Sequence, residues 1–262
     1  MTAIALARPA TTNKYTAIAL VALRQRLGDR SVLIARAVFY VLVLFIFSRI
    51  WKTLGQGGDR YVWYLAVTEW VTLSQPRLFL EIERDVRSGE IAYQLTRPTS
   101  YLVMQLAEGA GELVLGLSVL GLVGLCAATL LTSSLPDPTG LLFAGALGLT
   151  AAVLLLLCNA LIGLSAFWLQ DCSPLYWLWQ KANFVLGGLF LPLALYPSWL
   201  RLIALWLPFS AIVGGPGSML LEPDAKVFVL LAIKLSACIV LAWQALDALY
   251  ERAVQRLELN GG

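Results

Sequence analysis

Chemistry in a polypeptide needs nucleophiles, bases or ligands brought together, and this 262-residue sequence offers few of them. It contains no histidine, which removes Ser-His and Cys-His nucleophile pairs and any histidine-held metal or haem. The four cysteines, Cys126, Cys158, Cys172 and Cys238, are far apart, and three lie in apolar runs, so they form neither a disulfide framework nor a metal-site spacing. None of the five lysines, Lys14, Lys52, Lys181, Lys226 and Lys234, follows a glycine, so the G-x-x-x-x-G-K-[ST] nucleotide loop is absent. What remains is a set of isolated charges in apolar surroundings, Glu69, Glu108, Glu112 and Lys234, and one dense mixed-charge run, EIERDVRSGEIAYQLTRP, over residues 81–98.

The surroundings decide what those charges can do. The chain is 59% hydrophobic and 13% charged, whereas soluble domains hold about half apolar and about a quarter charged residues. Apolar runs long enough to cross a bilayer predict an all-α polytopic membrane protein with six transmembrane helices, at 32–53, 61–80, 103–131, 140–169, 176–195 and 226–248. Residues 1–31 form an N-terminal segment whose part 14–30 sets Lys14, Arg24, Arg26 and Arg30 around an apolar stripe, as in an interfacial helix. The stretch from Met1 to Ala10 is too short in its apolar part for a signal peptide. Residues 32–248 are expected to make one transmembrane domain, and 249–262 a cytoplasmic C-terminal tail.

Arg8, Lys14, Arg24, Arg26, Arg30, Arg77, Arg84, Arg87, Arg97, Arg252 and Arg256 all fall on one side of this arrangement, so the positive-inside rule puts both termini in the cytoplasm. Aromatic residues fall at both predicted interfaces, Trp51 and Trp63 at one and Trp177 and Trp243 at the other. The net charge of +3 carries no concentrated basic face, so nucleic acid is not an expected partner; membrane lipid is. Prolines 192, 197, 208, 216 and 223 surround one short apolar helix, SWLRLIALWL, which Ser198 would N-cap, so segment 192–224 is expected to be re-entrant or to lie on the outer leaflet. Glycines 109, 116, 124, 145, 148, 163 and 187 are expected to let helices pack closely.

Within 81–98, Ile82 and Val86 are four apart, as are Ile91 and Leu95, so two short amphipathic turns meet at Ser88 and Gly89 and Pro98 ends the segment. The plain reading is a solvated loop; the sharper one is a docking helix for a soluble partner. Glu69 and Lys234 each fall roughly 12 Å from the outer face at a 1.5 Å rise, so they are expected either to pair or to line a substrate path, with Glu108 and Glu112 as shallower candidates on one helix face. Arg36 and Lys181 lie near cytoplasmic ends, within snorkelling reach.

The run SGEIAYQLTRP resembles the segment after the second span in ABC-2 exporter permeases, particularly the six-span branch encoded with a second, related permease. RYVWYLAVTEW, LPLALYPSWLRLIALWLPF and the final Gly261-Gly262 are similar as well, so the resemblance covers nearly the whole chain. It implies a bacterial cytoplasmic-membrane permease that binds no cofactor itself, pairs with a second permease or with itself, and docks separate ATPase subunits that hold ATP and magnesium. The coupling residues it implies are Glu83, Arg84, Asp85, Arg87, Ser88, Gly89, Glu90, Arg97 and Pro98. An amphipathic or lipid-like cargo would suit so apolar a chain. An ATPase-coupled machine that assembles a surface structure without export, and a membrane-embedded enzyme, are the competing readings; the second would need clustered carboxylate, lysine or tyrosine chemistry.

Overall fold

The computed structural model describes residues 14–28, 30–54, 58–95, 100–132, 135–169 and 171–261, and every regular element among them is helical. In chain order these are α1 (Lys14–Gly28), α2 (Arg30–Leu54), α3 (Gly58–Leu73), α4 (Leu78–Ser88), α5 (Glu90–Leu95), α6 (Tyr101–Leu131), α7 (Pro138–Leu164), α8 (Ser173–Gly187), α9 (Ser198–Trp206), α10 (Gly215–Leu221) and α11 (Ala225–Gly261). Four of them are long and apolar enough to cross a membrane, within Arg30–Thr53, Tyr101–Leu131, Pro138–Phe167 and Ala225–Arg256. A fifth crossing is available if Ser198–Trp206 and Ser210–Leu221, bent by 90° at their junction, act as one.

The centre is α3, which buries Val62, Trp63, Tyr64, Leu65, Ala66, Thr68, Glu69 and Val71 against α2, α6, α7 and α10. It is shorter than the predicted 61–80 span. Pro76 cannot continue the helix, so the chain turns after Leu73 and restarts at Leu78. The predicted 176–195 span is likewise cut at Gly187, because Gly188 turns left-handed at φ 74°. Residues 249–261 of the expected tail continue α11 without a break.

Broken helices in apolar surroundings expose carbonyls, and each must find a donor. The Arg36 guanidinium of α2 donates to Leu73 O at 3.2 Å and Gln75 O at 3.0 Å, closing the end of α3. From α3, Tyr64 and Thr68 donate to Gly188 O at 2.5 Å and Leu189 O at 2.9 Å, closing the end of α8. Lys234 of α11 donates to Leu205 O at 2.7 Å and Leu207 O at 2.8 Å, closing α9 before Pro208. The polar side chains buried in this bundle thus serve helix ends more than one another.

Segment 192–224 holds more structure than the single short helix expected. After α9 the chain makes one π-helical turn, Ser210–Gly214, and continues into α10, with Ala211, Ile212, Val213 and Met219 fully buried. At the apex Phe209 packs on Trp179 of α8, ring centroids 5.2 Å apart. Ser198 does not cap α9: Pro197 occupies the N-cap position and no side chain bonds there.

Candidate functional site

The mixed-charge run folds as a helix, a left-handed glycine and a second helix. Along α4 the apolar residues Leu78, Phe79 and Ile82 turn inward and are buried. They pack on α7 at Gly163, where an added Cβ would lie 2.9 Å from the Cβ of Ile82, so only glycine admits α4 this closely. Phe79 also stacks on Tyr176 of α8, centroids 4.1 Å apart. Gly89 stands at φ 75°, a conformation open to glycine at little cost, and its N–H donates to Val86 O at 3.2 Å. Beyond it, buried Ile91 pins α5.

Two acidic residues expected at the docking surface are not there. Asp85 is buried, accepting from Tyr101 Oη at 3.1 Å and from Gln105 Nε2 at 2.9 Å, both on α6. Glu83 is buried too, receiving the Cys172 N–H at 3.2 Å and the Arg87 guanidinium at 3.1 Å. Both carboxylates are drawn in by donors from elements distant in sequence, so they anchor α4 and present nothing to a partner. Burial pushes the Asp85 carboxyl above its ordinary range, with the Tyr101 hydrogen bond pulling the other way. The face left to solvent carries Arg84 and Arg87, with side chains 72% and 61% exposed, followed by Ser88, Gly89 and Glu90. Arg97 and Pro98 lie outside the described residues.

A second feature, invisible as a sequence motif, braces this turn from behind. Arg26 of α1 reaches Glu112 of α6 at 2.5 Å and Glu81 of α4 at 3.0 Å, so one guanidinium joins three helices. Helix α1 lies close enough for this because Gly111 receives Ala19 directly, where any Cβ would strike its carbonyl. Glu112 is therefore a bracing residue, and Glu108 keeps a place on the cavity wall beside it. Burial and the neighbouring Glu112 carboxylate push Glu81 upward, with Arg26 opposing them. Asp171, the other charge near this end, accepts from the Ser173 side chain and from its N–H at 2.8 Å, which holds its carboxyl below the ordinary range.

Glu69 and Lys234 do not pair. Among the described residues no ion pair joins them; Lys234 is committed to the α9 carbonyls and Glu69 is buried within α3. Equal depth was legible in the sequence, but the proline-broken end of α9 offers the ammonium a nearer acceptor. Tyr101, Gln105 and Cys172 gave no sequence signal. They serve the site through hydrogen bonds spanning 16, 20 and 89 residues.

Comparison with protein families matches residues 33–261 to the model described as ABC-2 family transporter protein, from early in α2 to the end of α11. The chain belongs to the ABC-2 transporter family. It is accordingly a multi-pass membrane transport component, consistent with the missing nucleotide loop. Comparison with curated proteins finds no match. The α4–α5 turn of this ABC-2 member is thus anchored inward through Glu83, Asp85 and Ile91 and carries Arg84 and Arg87 outward.

Proposed function

We propose that this ABC-2 chain is the membrane-spanning permease subunit of an ATP-driven exporter, docked on partner ATPase subunits through the ridge of Arg84, Arg87, Ser88, Gly89 and Glu90. The observation that carries this is the division of α4 into two faces. A solvated loop would leave its acids in water, yet Glu83 and Asp85 are spent on fixing the helix while both arginines are held out. A rigid charged ridge transmits a push; a loose one absorbs it.

In this reading the chain crosses the membrane six times, with α3 and α8 as short crossings completed by the turn at Pro76 and by the extended segment after Gly188. The basic residues of α1, α4 and the end of α11 support a position for these elements and α5 on the cytoplasmic side of a bacterial inner membrane. The α9–α10 hairpin enters from the opposite leaflet. Along α11 Lys234 lies about 14 Å below Ala225 at a rise of 1.5 Å per residue, so the α9 end it holds is carried well into the bilayer. A second related permease, or a second copy, would complete the path for an amphipathic cargo.

Reconstitution of Gly89→Val and Arg87→Glu with the partner subunits tests the proposal. Valine strains the φ 75° position and misdirects α5, and the reversed charge spoils register while leaving the spans intact. Both variants should insert in normal amount yet lose ATPase recovery and stimulated hydrolysis. Unchanged values for both would assign the ridge to a solvated loop.

A further inference from the structure

Behind the docking turn, α1, α4 and α6 line an open cavity of about 530 Å³, within the range of sites for small organic molecules. One wall is apolar, made by Ala17, Ile18, Val21 and Ala22 of α1. The opposite wall carries Glu81, Glu108 and Glu112 with Gln105, and the cations that line the cavity are Arg26 and Arg84. Arg26 is committed to Glu81 and Glu112, and Arg84 leans 3.6 Å from Asp85 with its side chain largely in solvent. That leaves the Glu108 carboxylate over. Among the described residues, the charges that act on it are the acids Asp85 and Glu112 and the cation Arg84.

A second observation points the same way. Gln105 is 4% exposed, and its Nε2 is fixed on Asp85 at 2.9 Å, which sets the orientation of the amide. Its Oε1 is buried without a hydrogen-bond partner among the described residues. An unmatched buried carbonyl costs about 1–3 kcal/mol, so it is retained where something else donates to it. An unpaired carboxylate and an unpaired carbonyl on one cavity wall call for a cation that carries N–H donors. Among the described residues no three acids converge closely enough to hold a metal ion, which leaves a larger organic cation. The apolar face of α1 supplies the place for its hydrocarbon body.

We infer that this cavity binds an amphipathic organic ammonium ion, its nitrogen held by Glu108 and the Gln105 carbonyl and its apolar part lying on α1. The inference deepens the permease reading by naming a cargo class, and it rests on that reading. The same chemistry is shared by an exported amine and by the headgroup of an aminophospholipid.

Equilibrium binding of dansylcadaverine, a primary ammonium on an apolar fluorophore, tests it with the full chain in nanodiscs of phosphatidylglycerol. Its N-acetyl derivative, which has no charge, serves as the control. Saturable binding of the amine, at least tenfold weaker for the acetylated probe and for Glu108→Gln, is the expected result, with Glu108→Asp retaining part of it. Adding phosphatidylethanolamine separates the two sources: competition identifies a resident lipid amine, and its absence a cargo amine, each upholding the site. Equal binding of both probes, or full binding by a well-folded Glu108→Gln, overturns the inference. ATPase recovery by the parent protein reads the permease assignment independently, so intact recovery by a parent that shows no saturable amine binding sinks the cavity proposal alone.

Discussion

Replacing Lys234 with methionine removes both donors that close α9, leaving Leu205 O and Leu207 O unmatched inside a membrane protein. Each stranded carbonyl costs about 1–3 kcal/mol, or roughly 2–6 kcal/mol for the two. Removing an ammonium from apolar surroundings returns about 2.5–3.5 kcal/mol on insertion scales. The net change is therefore modest, between a gain of about 1.5 and a loss of about 3.5 kcal/mol by these magnitudes, and Lys234→Gln, which keeps one donor group, should lose less. A Glu69–Lys234 ion pair would behave otherwise: breaking it strands a buried charge at about 3–5 kcal/mol, and Glu69→Gln would restore most of that. The deciding quantity is the coupling energy of a double-mutant cycle, followed by tryptophan fluorescence during unfolding in mixed micelles. The geometry predicts Glu69→Gln and Lys234→Met to be additive within about 0.5 kcal/mol. Coupling above about 1 kcal/mol, or a Lys234→Met protein whose α9 resists proteolysis as the parent does, would refute the reasoning.

Arg26→Gln should cost about 1–2 kcal/mol, because Glu81 and Glu112 lose a shared partly buried cation, and hydrogen exchange should rise across 14–28. Gly163→Val should push α4 off α7, since even a Cβ falls 2.9 Å from Ile82; increased labelling of a cysteine placed at Ile82 would report it. Asp85 is raised by burial, so its contribution to stability is fully present below its unfolded value near 3.8 and is lost as pH rises through the higher folded value. Melting temperature should accordingly fall with rising pH over that window, and Asp85→Asn should reduce the slope.

The long apolar helices were legible because hydropathy alone defines them, and α2, α6 and α7 fall within a few residues of their predicted spans. The helix–glycine–helix geometry of α4 and α5 was legible because Gly89 interrupts two amphipathic turns, a local signal. What local signals could not carry was where a polar side chain finds its partner. Glu83 and Asp85 look like solvent charges until Cys172, Tyr101 and Gln105 arrive from other helices. Lys234 looks like a partner for Glu69 until Pro208 frees carbonyls beside it. The second half of segment 192–224 is not legible in the sequence because Gly214, Gly215, Pro216 and Gly217 are all poor helix formers. Packed against Tyr64 and Gly187, those small residues instead let a helix sit close.

The docking claim is tested most directly by cross-linking in native membranes. A photoreactive group on Ser88→Cys, at the exposed end of α4, should capture a P-loop ATPase, while the same group at Leu135, before α7, should not. Capture from Leu135 with none from Ser88 would contradict the account and move the contact to the opposite end of the bundle.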